Sequence, residues 1–145
     1  MAITITKTVR PTPKWQEMYL KIRKDQRVIL SSEGLWSPDL RNTIGWCGPD
    51  GIVGRVAGEG YLMPGANVGA LIMKIGDFGP VAVGNYYDFK SIVEGVLFLA
   101  INDNPEYRDQ AGAVHAQIIL FDAPPSRKAA PRTRRRKATP SRRGR

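Results

Sequence analysis

Residues 113–120, Ala-Val-His-Ala-Gln-Ile-Ile-Leu, decide the fold class of this chain. Apolar and polar side chains alternate along the stretch. Its apolar positions are Val114, Ala116, Ile118 and Leu120, and His115 and Gln117 lie between them. Successive side chains of a strand point to opposite faces of the sheet, so the alternation predicts a strand with one buried and one solvent-facing side.

Short apolar or alternating stretches of the same kind recur before this one. They lie at residues 2–9, 15–22, 27–32, 69–75, 80–84 and 95–101. Turn-forming residues separate them, and 14 of the 15 glycines precede residue 123, which disfavours long helices. About eight short strands joined by turns predict an all-β, jelly-roll-like β-sandwich. The glycine-rich residues 34–61 are expected to form long loops over one end of it, where sandwich proteins commonly carry their function.

Charge divides the chain into two parts. Of its 22 basic and 13 acidic residues, residues 123–145 hold ten basic and no acidic ones. The ten are Arg127, Lys128, Arg132, Arg134, Arg135, Arg136, Lys137, Arg142, Arg143 and Arg145. We therefore predict a sandwich domain at residues 1–122 and a Pro- and Arg-rich basic tail at residues 123–145. We expect such a tail to bind polyanions, whether nucleic acid, an acidic protein surface or anionic lipid; the alternative is a solubilising or vestigial extension.

Several classes of chemistry are excluded by single residues. Cys47 is the only cysteine and His115 the only histidine, so an intrachain disulfide and zinc sites of several cysteines or histidines are impossible. Any Ser-His-Asp catalysis would depend on that one imidazole, so we expect a non-enzymatic binding protein. The first residues lack the apolar core of a secretory signal, and no apolar run reaches the roughly 18–20 residues of a membrane helix. We expect a location in the cytoplasm or within a released particle.

Three segments carry a resemblance to a known family. Gly69-Ala-Leu-Ile-Met-Lys-Ile-Gly76 is followed by Ile101-Asn-Asp103 and then by Asp109-Gln-Ala-Gly112. In this order they resemble the bacterial calcium-dependent galactose-binding lectins of the galactophilic PA-I type and their related accessory domains. The resemblance runs from about residue 28 to residue 120 and implies a galactose-binding-like β-sandwich.

The resemblance also implies a site: one calcium ion held by loop oxygens, with two hydroxyls of a galactose-like sugar completing its coordination. By position, the implied metal ligands are Asp103, Asp109 and Gln110. The sugar contacts are expected at Glu59, Asp103, Asn104, Asp109 and Trp36. Calcium takes six to eight oxygens, and the short loop between the two aspartates can fold both carboxylates onto one ion.

The chain departs from the family's pattern in this region. The loop after Asp103 is about one residue shorter than in the family, and its Pro-Gly step is replaced by Pro105-Glu106. The histidine with which the family binds galactose would lie near Val56, so it is absent from this chain. These departures predict a retained fold with an altered sugar site, and they leave the calcium site open. Without the resemblance, the residues alone favour a polar loop at 102–112 that caps its own backbone, and a tryptophan beside glycine turns is more often a core residue.

The basic tail keeps a second hypothesis open. The chain could be a structural or accessory subunit of a virion- or nucleoprotein-type assembly, with the sandwich making protein contacts and the tail acting as an anchor. A calcium titration and a glycan panel distinguish this hypothesis from the lectin hypothesis.

Overall fold

The computed structural model describes residues 1–41 and 45–122 and contains eight strands. They are β1 (Ala2–Val9), β2 (Gln16–Ile22), β3 (Arg27–Ser37), β4 (Leu71–Ile75), β5 (Phe78–Ala82), β6 (Tyr86–Lys90), β7 (Gly95–Ile101) and β8 (Ala111–Phe121). Two four-stranded antiparallel sheets form, in the orders β1-β8-β3-β6 and β2-β7-β4-β5. The described residues contain no helix, so the predicted all-β sandwich is confirmed.

The alternating pattern of residues 113–120 sets how the sheets face each other. Val114, Ala116 and Ile118 are fully buried, whereas His115 and Gln117 are exposed. β8 pairs along its length with both β1 and β3, so it is a central strand whose apolar side covers the second sheet. The apolar stretches of β4 and β7 provide the opposite layer of the core, including Leu71, Leu97 and Leu99. A one-residue shift of β8 would turn its polar side chains into that core, so the register is well specified.

Two parts of the sandwich differ from the sequence expectation. β6 lies in none of the predicted stretches, because half-buried aromatics, Tyr87 and Phe89, provide its inner face instead of aliphatic residues. Residues 34–37, expected to be loop, continue β3, because their backbone pairs with residues 111–114 of β8. This long-range pairing outweighs the weak local preference of glycine for strands.

Some sequence predictions fall outside the described residues. The tail at residues 123–145, with all ten of its basic side chains, is among them. Within the described ranges, no helix has the length and apolar character needed to cross a membrane.

Candidate functional site

Three loop segments meet at one end of the sandwich, and we call this region the loop-end site: residues 38–41, 58–63 and 102–110. The first segment leaves β3 and the third enters β8, and these two strands are paired through Ser37 and Ala111. The backbone N–H of Leu40 donates to the Asp109 carbonyl at 2.9 Å. The second segment joins them through the Leu62 N–H, which donates to the Asp103 carbonyl at 3.2 Å.

Asn102 fixes the start of the third segment. Its side chain is fully buried at the end of β7. The amide oxygen accepts from the Met63 N–H at 2.9 Å, and the amide nitrogen donates to the Met63 carbonyl at 2.9 Å and to the Asn67 carbonyl at 3.1 Å. A buried amide with these partners is satisfied and holds two loops together. Asn102 therefore positions the residue that follows it.

That residue, Asp103, carries a buried carboxylate. It is 1% exposed, and its Oδ2 accepts a hydrogen bond from Gln110 Nε2 at 2.7 Å. Burial raises the pKa of Asp103, and the hydrogen bond from Gln110 opposes that rise, while the charges of Asp109 and Asp39 add to it. Among the described residues, no basic side chain lies within 4.0 Å of this carboxylate.

Asp109 is held differently. Its Oδ2 lies 2.9 Å from Arg41 Nε, and the same Nε lies 3.9 Å from Oδ1 of Asp39. A side-chain hydrogen bond with Asp39 lowers the pKa of Asp109, and the Arg41 guanidinium lowers it further. The structure pairs the Asp109 carboxylate with Arg41, and the role of Asp109 as a calcium ligand stays a prediction.

Gln110 links the Asp103 carboxylate to the Tyr107 carbonyl. Its amide nitrogen donates to the Asp103 carboxylate and, at 3.1 Å, to the Tyr107 carbonyl. A carboxylate and a carbonyl only accept, so the nitrogen of the amide must face them. The loop therefore satisfies its own acceptors with N–H groups.

The donor set has the chemistry that calcium prefers. The carboxylates of Asp103 and Asp109, the Tyr107 carbonyl and the Gln110 amide supply oxygen donors within one segment. In the described ranges, however, no three acidic, histidine or cysteine side chains are already gathered as metal ligands. Calcium would have to replace the N–H donors of Arg41 and Gln110. The calcium site stays a prediction.

The predicted sugar contacts Trp36, Glu59 and Asn104 lie in different environments in the structure. Trp36 is fully buried and donates from Nε1 to the Gly69 carbonyl at 2.8 Å, so its ring cannot stack on a sugar, and that expectation is corrected. A core position explains this tryptophan, because burial satisfies both its large apolar surface and its N–H. Glu59 is exposed at the rim, next to Gly60. Asn104 accepts the Glu106 N–H at 2.9 Å and so caps its own turn.

Side chains that were not predicted as sugar contacts, such as those of Arg41 and Arg108, also line the site. A cavity of about 340 Å³ is lined by Arg41, Glu106, Tyr107, Arg108 and Asp109. Tyr107 is 43% exposed, and its ring centroid lies 6.1 Å from that of Tyr61, with the two rings perpendicular. The only local signal for Asp39 and Arg41 was their charge and their position directly after β3. Nothing local indicated that the chain would bring them to Asp109.

Comparison with solved structures finds chains of similar fold. A solved domain described as the EclA N-terminal domain, a PllA-like lectin, superposes with a TM-score of 0.64 and 18% sequence identity. The match covers 80% of this chain and 95% of that domain. At this identity the likeness shows a shared fold. No family model and no curated protein matches the chain.

Proposed function

We propose that this chain is a non-enzymatic carbohydrate-binding protein that takes its ligand at the loop-end site. One observation carries the proposal: in a chain with the fold of a lectin, an open cavity of about 340 Å³ at the loop-end site is lined by the charged side chains of Arg41, Arg108 and Asp109. A few well-placed polar groups around a concave surface are typical of small-ligand sites.

The lining side chains suit a sugar. Carboxylates such as Asp109 accept hydrogen bonds from vicinal hydroxyls, and the arginines at positions 41 and 108 donate to ring and hydroxyl oxygens. The half-exposed ring of Tyr107 offers an apolar face to the C–H side of a pyranose. Together these groups support a neutral, galactose-like ligand with adjacent hydroxyls.

Calcium is part of the proposal. Asp103, Asp109 and Gln110 would hold the ion together with the Tyr107 carbonyl. When bound, calcium supplies open coordination positions for two sugar hydroxyls. The charges of Asp109 and Asp39 add to the rise in the pKa of the buried Asp103, and a cation at the site would offset that effect.

The first prediction concerns sugar binding on a glycan panel with excess calcium. Replacing Tyr107 by alanine is expected to weaken binding about ten-fold, which corresponds to about 1.4 kcal/mol, because the packing face is lost. Replacing the exposed Tyr86 of edge strand β6 by alanine is the matched control and should leave the affinity unchanged.

Replacing Asp103 by asparagine should abolish any calcium-induced rise in melting temperature while keeping an acceptor for Gln110. A panel without a single binder, with and without calcium, contradicts the proposal.

The basic tail supports an additional role in attachment to a polyanion. Its ten basic residues have no acidic neighbours between residues 123 and 145. Contacts with phosphates release counterions and are largely indifferent to sequence. The same feature favours the alternative function, a subunit of a nucleoprotein-type assembly whose sandwich contacts other proteins.

A second prediction tests this attachment. Deleting residues 123–145 is expected to weaken binding to double-stranded DNA in low salt at least about ten-fold and to remove its salt dependence. The control is the double variant Arg23→Gln/Lys24→Gln, which removes two exposed charges from the sandwich and should change little. Anionic vesicles in place of DNA separate a lipid partner from a nucleic acid. Equal binding by the full chain and the deletion variant would rule the tail out as an anchor.

A further inference from the structure

The first strand is an unpaired edge of its sheet. β1 pairs with β8 along all eight of its residues without a register shift. Only one side of β1 is used in this way, because it is the first strand in the order β1-β8-β3-β6. In the described part of the chain, no backbone hydrogen bond joins its other side to a loop. The N–H and C=O groups along this side can therefore pair with another strand.

The other three edge strands each carry a feature that hinders pairing with another chain. β2 is bulged, and its Tyr19 has a left-handed φ of +59°. β5 contains Pro80, which has no N–H to donate. β6 is only five residues long and carries charges at Asp88 and Lys90. β1 is longer, regular and free of proline, and its one charged residue is Lys7, so it lacks the usual protection of an edge.

The sequence of β1 suits pairing with a second copy of itself. Thr4, Thr6 and Thr8 are exposed on the outer face of the sheet, and Ile3 on the other face is 54% exposed. Two copies that pair antiparallel keep their outer faces on the same side, so threonines lie opposite threonines. In the two registers that pair seven residues, centred on position 5 or 6, Lys7 lies opposite an isoleucine of the other copy. Threonine pairs across strands and the absence of facing like charges both favour this association.

We propose that this chain forms a homodimer through β1, in which two four-stranded sheets join into one antiparallel sheet of eight strands. A twofold axis through the middle of β1 relates the two copies, so the same residues meet from both sides. The dimer uses both β1 edges, and the joined sheet ends on each side in the short, charged strand β6. The assembly therefore stops at two chains.

The dimer has a consequence for the loop-end site. Val9 at the end of β1 pairs with Val114, which follows the 102–110 segment closely in the chain, whereas Ala2 lies at the far end of the strand with Phe121. Antiparallel pairing of the two copies therefore places their loop-end sites at opposite ends of the joined sheet. One dimer would connect two separate ligands instead of binding one ligand twice. This consequence rests on the proposed function, whereas the dimer itself does not.

Sedimentation equilibrium of the full chain, without sugar and in about 0.1 M salt, tests the proposal. The unaltered protein is expected to have twice the mass of one chain. Thr6→Lys places two new lysines about 5–8 Å apart across the interface and should weaken the dimer at least about ten-fold. Gln117→Lys is the matched control, because Gln117 is the neighbour of Thr6 on β8 and is equally exposed. Its two lysines would lie about 14 Å apart, beyond the screening length of about 10 Å, so the dimer should persist.

A second measurement needs no variant. As the protein concentration is raised, hydrogen exchange of the unaltered chain is expected to slow at the β1 amides that point away from β8, and not at the amides of β6. The proposal is overturned by the mass of one chain at every concentration, by exchange of the β1 amides that does not depend on concentration, or by a dimer that Thr6→Lys leaves intact. None of these results touches the sugar proposal, because no sugar takes part in the test.

Discussion

Alanine at position 112 is expected to destabilise the protein by about 3–5 kcal/mol, because a left-handed backbone and overpacking act together there. Gly112 has a φ of +87°, which a residue with a Cβ rarely adopts. A methyl group would also lie 2.7 Å from the Trp36 Cα and 2.9 Å from the Trp46 ring, and it would overlap the Leu35 carbonyl. The backbone of β3 and the first residues of β8 cannot move apart to make room for the methyl group without breaking the pairing between the two strands.

Gly54 is the matched control for this substitution. Its φ is +85°, almost the same, but nothing lies within 4 Å of the position that its Cβ would take. Gly54→Ala therefore carries only the conformational cost of about 1–2 kcal/mol. Urea unfolding of both variants measures the difference, with unchanged m-values as the check that the unfolded states are comparable. Equal midpoints for the two variants would show that the close approach at Gly112 does not matter.

Replacing Trp36 by alanine is the second large effect, with an expected loss of about 3–5 kcal/mol. The side chain is fully buried, its N–H is hydrogen-bonded to the Gly69 carbonyl, and its backbone pairs with Cys47. Alanine would leave a large cavity, and the Gly69 carbonyl would keep only the contact from Cys47 Sγ at 3.9 Å. A loss of this size is a large fraction of the roughly 5–15 kcal/mol that stabilises a domain.

Two further variants separate the causes. Trp36→Phe keeps most of the volume and loses the hydrogen bond, so it should cost about 1–3 kcal/mol. Trp46→Ala truncates a tryptophan that is 51% exposed and should cost about 1 kcal/mol or less. A Trp36→Ala protein as stable as Trp46→Ala would be incompatible with a core role and would reopen the idea that Trp36 contacts a sugar.

The stability of this region bears on the candidate site. Gly112 and Trp36 lie where β3 and β8 separate into the segments that carry Asp39, Arg41 and Asp109. A change that loosens this pairing would move the ends of both segments. Rigid strands beneath variable loops are a common way to hold a binding site on a sandwich. Binding assays of core variants should therefore be made well below their melting temperatures.

Much of the fold could be predicted from local patterns. Alternation along residues 113–120 and glycine-bounded apolar stretches such as residues 69–75 indicated strands, because the period of side chains in a strand is a property of the backbone itself. The strand β6 was missed, because its inner face is made of two aromatics, Tyr87 and Phe89, that are each followed by a charged residue. The end of β3 was missed, because glycine and serine at positions 34 and 37 have no strand signal of their own.

The candidate site was only partly predictable. Asp103, Asn104, Asp109 and Gln110 were placed in one loop, and the structure brings Asp103 and Gln110 into contact. That Asp109 pairs with Arg41, 68 residues earlier, was beyond any local pattern. The tail residues 123–145 stay a prediction of composition.

By itself, the sequence determined the all-β class, the regular alternation of buried and exposed faces and the concentration of positive charge after residue 122. These depend on the order of residues along a few neighbouring positions. The tertiary structure decided which loops meet, that Trp36 lies inside, and that an arginine and an amide satisfy the carboxylates of the candidate site. Such contacts depend on strand pairing between distant segments, and the free energy of an ion pair or a buried carboxylate depends on what surrounds it in space.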